Sequence, residues 1–201
     1  YPEPLVLPEA LETVLQISRD NTYRMIGMVN AILDMSRLES GQMTLLCEPV
    51  ELAEIVERSC AQQGTLASRS DTLLLNDVSY DLPRILVDQA LVSRIFQNLI
   101  DNALKFSPPG GSIEISARLD DTRQWVWISV KDSGPGIPED LLGSVFDKYI
   151  TGANKRRGTG LGLAFCKMAV EAHGGKIEVI NGPGNSPTRG TIFHFSLPVE
   201  P

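Results

Sequence analysis

Residues 98–108, Asn-Leu-Ile-Asp-Asn-Ala-Leu-Lys-Phe-Ser-Pro, constrain the fold more than any other stretch of the chain. Asn98, Asn102 and Lys105 fall at i, i+4 and i+7 and project together from a helix, while Ile95, Leu99, Ala103 and Phe106 fall beside them and can pack. Asp88 is of the residue type that starts such a helix. Ser107-Pro108 ends it, because the residue before a proline is pushed out of helical conformation. The helix must therefore anchor on a core by one side and leave a carboxamide border open. Two carboxamides and a lysine on one stripe suit a metal-bound phosphate chain.

Around this helix the periodicities predict helices over 9–39, 52–63, 139–146 and 161–173, and strands over 42–49, 72–78, 84–87, 112–119, 124–132, 176–180 and 190–197. The 72–78 and 84–87 strands read as a hairpin or meander. No regular βαβ alternation appears, which predicts an α+β fold rather than a doubly wound sheet. In the first helix Leu11, Leu15, Ser18, Thr22, Met25, Val29 and Ile32 recur at spacings of 4 and 3, with Val14, Met28 and Met35 widening the seam. That pattern suits a helix in a bundle or a dimer, or an amphipathic helix on its own domain, and Gly41 closes it.

With a net charge of −7, the chain is a poor general surface for nucleic acid or anionic membrane, and a local basic cluster stands out. No apolar run approaches the ~20 residues of a membrane span, and no secretory signal is present. Cys47, Cys60 and Cys166 are scattered without metal-ligand spacing, as expected in a reducing cytoplasm. The sequence begins with Tyr1, so a fragment of something longer is expected.

Strand parity puts Asp132 on the same face as Val126, Ile128 and Val130, so its carboxylate points inward and needs a donor. The exocyclic amine of adenine would supply one, whereas guanine presents a carbonyl there. A turn aspartate capping its own Ser133-Gly134-Pro135-Gly136 loop is the alternative. Gly158-Thr159-Gly160-Leu161-Gly162-Leu163 leads into a helix, where bare amides and the helix dipole favour phosphate, unless the stretch is a plain linker. Between them, Phe146-Asp-Lys-Tyr149 precedes Lys155-Arg156-Arg157, readable as a lid with a hydrophobic anchor and cationic tip, or as a solvated basic loop.

Taken in order, these pieces resemble the catalytic ATP-binding domain of sensor histidine kinases, in the superfamily of gyrase, chaperone, histidine kinase and MutL ATPases with the Bergerat (GHKL) fold. The likeness spans about 44–198: Asn98–Pro108 matches the N box, Asp132–Gly136 the G1 box, Phe146 onward the F box and Gly158–Leu163 the G2 box. It implies a two-layer α/β sandwich with a mixed sheet, preceded by a long N-terminal helix. It also implies ATP under a lid, with Asp132 reading adenine and Thr191 bridging to it through water. Gly134, Gly136, Ile137, Phe146, Tyr149 and the run Gly158, Thr159, Gly160, Leu161, Gly162, Leu163 would complete the nucleotide contacts. Asn102, helped by Asn98, would hold Mg²⁺, and Lys105 would contact phosphate. The family lid often carries an arginine near the position of Thr151, a role left here to Lys155, Arg156 and Arg157.

By the same likeness, residues 1–43 are the second helix of a dimerisation and phosphoacceptor hairpin whose first helix is missing, and 44–201 are the catalytic domain. Neither histidine fits a phosphoacceptor box: His173 reads as a helix-end residue and His194 as a strand residue. Related ATPases place a water-activating glutamate where this chain has Asn98, and a carboxamide cannot take the proton. Phosphoryl transfer to a histidine elsewhere is therefore expected over rapid hydrolysis, with a non-catalytic nucleotide-binding scaffold as the alternative. The partners implied are a response regulator and a second copy through the N-terminal helix, in a cytoplasmic segment without membrane or nucleic-acid contact.

Overall fold

The computed structural model describes residues 9–41, 43–151, 159–183 and 189–201. Five strands form a mixed sheet in the order β2-β4-β5-β7-β6, from β2 (Leu73–Asp77), β4 (Ser112–Leu119), β5 (Trp125–Asp132), β6 (Ile177–Asn181) and β7 (Thr191–Pro198). A separate two-stranded pair joins β1 (Glu48–Val50) to β3 (Ile85–Val87). Helices α2 (Leu52–Arg69), α3 (Gln89–Phe106) and α5 (Gly162–Ala172) pack on the sheet, with the short α4 (Glu139–Leu142) before α5. The result is the expected two-layer α+β sandwich, preceded by α1 (Glu9–Glu39).

Alternation decides which side of the sheet the helices cover. On β5, Val126, Ile128 and Val130 are buried and pair with the inward residues Leu197, Phe195 and Phe193 of β7. From the other layer α3 sends in Val92, Ile95, Phe96, Leu99 and Ile100, each fully buried. Phe96 meets Phe195 edge to face, 5.7 Å between ring centroids. Asp88 caps α3 as its residue type predicts, its carboxylate accepting from the amides of Ala90 and Leu91. The Asp88 amide itself donates to His173 Nε2 at 2.9 Å, and His173 Nδ1 donates to the Ala169 carbonyl at 2.7 Å. His173 thus ties the end of α5 to the start of α3.

Four expectations change. The strand expected over 42–49 forms only as β1, at Glu48–Val50, where β3 supplies a partner, and the helix expected over 139–146 ends at Leu142, before Gly143. β2 and β3 do not form a hairpin: β2 pairs in parallel with β4, Leu73 against Ser112 through Asp77 against Ser116, while β3 pairs antiparallel with β1. A parallel pair needs a crossover, and α3 between β2 and β4 supplies it. Ile85 and Val87, fully buried, hold β3 to the core away from the sheet edge. The helix expected over 52–63 runs through Gly64 to Arg69, because Ala67 is buried beyond the glycine and offsets its cost of about 1 kcal/mol.

Helix α1 joins the body only near its end. Met35 is buried, Ala31 and Leu38 pack against the core, and Gly41 terminates the helix at φ +63°. Asp34 pairs with Arg94 of α3, whose guanidinium lies 4.2 Å from the Phe165 ring centroid of α5. Earlier in α1 the apolar residues Leu15, Met25, Val29 and Ile32 are exposed. Among the described residues no helix is long and apolar enough to cross a membrane.

Candidate nucleotide site

A cavity of about 280 Å³ opens where the polar border of α3 faces the end of β5, the loop after it and the start of α5. Asn98, Asn102 and Lys105 line one side of it, as their helical spacing predicts. Asp132 and Thr191 line it as well, with Gly136 and Ile137 from the loop and Thr159, Gly160, Gly162 and Leu163 from the segment entering α5. Residues drawn from four separated stretches of sequence therefore share one concave wall.

Asp132 is buried, and one carboxylate oxygen, Oδ1, accepts from two backbone amides, Gly134 at 2.8 Å and Thr191 at 3.1 Å. Burial pushes its carboxyl above the usual carboxylate range, while those two amides and the Thr191 hydroxyl, which also donates to the carboxylate, pull in the opposite direction. The turn-capping reading and the ligand-reading one are thus compatible: one oxygen serves the loop, and the carboxylate still lines the cavity. Two glycines make this packing possible. A Cβ on Gly134 would stand 2.8 Å from Asp132 Oδ1, and one on Gly190, at φ +75°, would stand 2.1 Å from the Asp132 carbonyl oxygen.

At the other end α5 begins close against α3, since a Cβ on Gly162 would meet Asn98 Oδ1 at 3.0 Å. The Tyr149 amide donates to the Gly160 carbonyl at 2.8 Å, and both residues adopt positive φ, +66° and +69°. This bond joins the two ends of the segment between them. Lys105 Nζ lies 4.8 Å from the Phe106 ring centroid.

Four of the expected nucleotide contacts do not line the cavity wall. Phe146 packs edge to face on Phe193, 6.2 Å between centroids, and Tyr149 is exposed. Leu161 is buried in the core, and Gly134 serves Asp132 from behind. Arg156, Arg157 and Gly158, with Lys155, lie outside the described residues.

The family model described as histidine kinase-, DNA gyrase B-, and HSP90-like ATPase matches residues 87–201, the stretch that builds this cavity. The chain belongs to that family. The sensor protein KdpD of Clostridium acetobutylicum is 37% identical over 186 residues, 90% of this chain and 20% of KdpD. Full-length ShkA, crystallised in complex with AMPPNP, superposes with a TM-score of 0.81 at 25% identity, over 97% of this chain and 40% of that one. ThkA in complex with the response regulator protein TrrA gives 0.73 at 25% identity, over 98% of this chain and 53% of that one. The chain spans less than half the length of the curated relatives it matches, from 20% to 49%. Its catalytic ATP-binding domain is that of a histidine kinase of the GHKL superfamily.

In this kinase domain three residues join the site without having been singled out from sequence: Asn181, Arg189 and Asp101. Asn181, on edge strand β6, accepts from the Ile137 amide at 2.7 Å and donates to the Ile137 carbonyl at 2.8 Å, and Arg189 adds a second donor to that carbonyl at 3.1 Å. The loop under the cavity is thereby clamped to β6. Asp101 lines the cavity beside Asn98 and Asn102. Its place on the same stripe, i+3 from Asn98 and i−4 from Lys105, was the available signal. Asn181 left none, because its partner is a backbone group far away in sequence.

Proposed function

We propose that this chain binds Mg²⁺-ATP and passes the γ-phosphate to a histidine on a dimerisation helix outside the sequence given, as the kinase core of a two-component signalling protein. One observation carries the reading: a single cavity is lined both by a buried carboxylate, Asp132, and by the Asn98, Asn102, Lys105 stripe. Asp132 keeps acceptor capacity beyond the two backbone amides on Oδ1 and takes the adenine amino group, with Thr191 beside it bridging through water. Ile137 and Gly136 floor the base. Lys105 and the amides of residues 159–163 hold phosphate oxygens, Phe146 and Tyr149 flank the site, and Arg156 and Arg157 offset charge on the transferring group.

Among the described residues no group of three His, Cys, Asp or Glu side chains could cage a metal. The oxygen donors in the cavity fit a cation shared with a nucleotide, because Mg²⁺ takes few protein ligands and keeps its waters. Asn102 and Asn98 would hold it through their carboxamide oxygens. When bound, Mg²⁺ supplies charge neutralisation along the β- and γ-phosphates. Asn98 offers no base to activate water, so the chain's own residues position and neutralise while the acceptor nitrogen displaces ADP from phosphorus.

The acceptor lies outside this chain's own histidines. Both ring nitrogens of His173 are engaged in the core, and His194 sits in mid-strand on β7, away from the cavity wall. Residues 1–43 then serve as part of the dimerisation hairpin and 44–201 as the catalytic unit, with the exposed apolar seam of α1 packing in a homodimer. A response regulator receives the phosphoryl group, and the segment works in the cytoplasm, where ATP is available. The AMPPNP complex of ShkA and the TrrA complex of ThkA support the ligand and partner assignments.

The test supplies a separate histidine-bearing hairpin and γ-labelled ATP to the native chain, Asn102→Asp and Asp132→Asn. Histidine phosphorylation by the native chain alone is expected, with hydrolysis slow in the absence of acceptor. Labelling that survives both substitutions, or hydrolysis of several ATP per second without acceptor, would overturn the assignment.

A further inference from the structure

Asp101 is a charged group that the reading above leaves without a task. It stands on α3 between Asn98 and Asn102 and lines the cavity at the phosphate end, with Lys105 one turn on. Its carboxylate is held from outside the helix, for Gln63 Nε2 on α2 donates to Oδ1 at 2.7 Å. Asp132 and Asp101 are the acidic residues among those that line the cavity.

A fixed negative charge beside a triphosphate opposes binding of the nucleotide alone. With a divalent cation present the same charge acts in the other direction: it attracts the cation and accepts hydrogen bonds from its water shell, which Mg²⁺ retains. Asn98 and Asn102 are neutral and cannot make this distinction. Resting on the ATP-site reading, we infer that Asp101 is a positioning residue that makes nucleotide binding conditional on the divalent cation, rejecting metal-free ATP and favouring the Mg²⁺ complex. Gln63 serves it by limiting the orientations open to that exposed carboxylate.

Calorimetric titration of AMPPNP into the 201-residue chain, in excess EDTA and in saturating Mg²⁺, tests this directly. Asp101→Asn keeps an oxygen for Gln63 and removes only the charge. Its affinity in EDTA should rise roughly fivefold and its affinity in Mg²⁺ should fall by about as much, the scale of one unit charge a few ångströms away in a water-like medium. Asp101→Glu should restore the native ordering, and Gln63→Ala should narrow the Mg²⁺ preference while leaving the sign unchanged. A native chain that binds AMPPNP, with Asp101→Asn weakening both conditions equally or neither, overturns the role of Asp101 and leaves the ATP site standing. A native chain that binds no nucleotide in either condition overturns the site reading and this role together.

Discussion

Replacing Asp132 by asparagine isolates the chemistry of base recognition from the architecture around it. The carboxylate holds the Gly134 and Thr191 amides through Oδ1, and the amide oxygen of Asp132→Asn can accept the same two bonds. What changes is the side turned to the ligand, which becomes an N–H₂ donor facing the adenine amine, also a donor. A hydrogen bond to a charged group is worth about 1.5–3 kcal/mol, so the Kd for ATP should rise roughly 10- to 150-fold. The same donor suits the carbonyl of guanine, so the preference for ATP over GTP should shrink by more than the loss in ATP affinity alone would give. Protonation supplies a second handle. Burial raises the Asp132 carboxyl, so the native state holds that proton more tightly than the unfolded chain does. Its contribution to stability is therefore largest below the ordinary Asp range and declines as pH rises through the raised value. Nucleotide affinity runs the other way and is lost as pH falls through that value, and Asp132→Asn abolishes this step. Calorimetry with ATP and GTP across pH reads both effects. An Asp132→Asn chain that binds ATP within twofold of native, with an unchanged ATP/GTP ratio, would refute the assignment.

Asn181→Ala removes both side-chain bonds to Ile137 and leaves its amide without that partner, a cost of about 1–3 kcal/mol. Thermal melting should record it, and nucleotide affinity should fall several-fold because the cavity floor loosens, whereas an unchanged melting temperature would show that Arg189 alone holds the loop. Arg94→Ala deletes the pairing with Asp34 and the stacking on Phe165, worth about 1–2 kcal/mol for partly exposed groups. Amide exchange in the last turns of α1 should accelerate while that of α3 stays slow; equal acceleration in both would show that Arg94 supports the core instead.

Local pattern made some elements legible and non-local pairing hid others. Helix α1 and strand β4 have the bounds that their periodicities predict, because an apolar spacing of three to four residues, or of two, is written directly in the sequence. The pairing of β2 with β4 depends on the chain returning after α3, and nothing within 72–87 encodes it, so that stretch reads as a hairpin. The site divides in the same way. Asn98, Asn102 and Lys105 follow from one helical stripe, and the burial of Asp132 follows from strand parity. Asn181 is a short polar residue at the end of a strand, and its task exists only once β6 has joined the sheet edge beside residues 134–138. Tyr149 and Leu161 miscarry for a related reason. Their neighbours touch the cavity, but Tyr149, at positive φ, is exposed and Leu161, the residue that caps the start of α5, is buried in the core.

Helix α3 couples stability to function more tightly than the list of site residues implies. Ile95, Leu99 and Ala103 sink one side of it into the core, and this alone fixes the azimuth at which Asn98, Asn102 and Lys105 face the cavity. With α5 starting so close that a Cβ on Gly162 would stand 3.0 Å from Asn98 Oδ1, a rotation of α3 presses on the opposite wall. Conservative core changes on that helix therefore act on the phosphate end of the site as well as on stability. The Asp132 end has in addition a support of its own, because β5 is held between β4 and β7 by its ladders. Repacking at Leu99 should thus disturb metal and phosphate contacts before it disturbs recognition of the base.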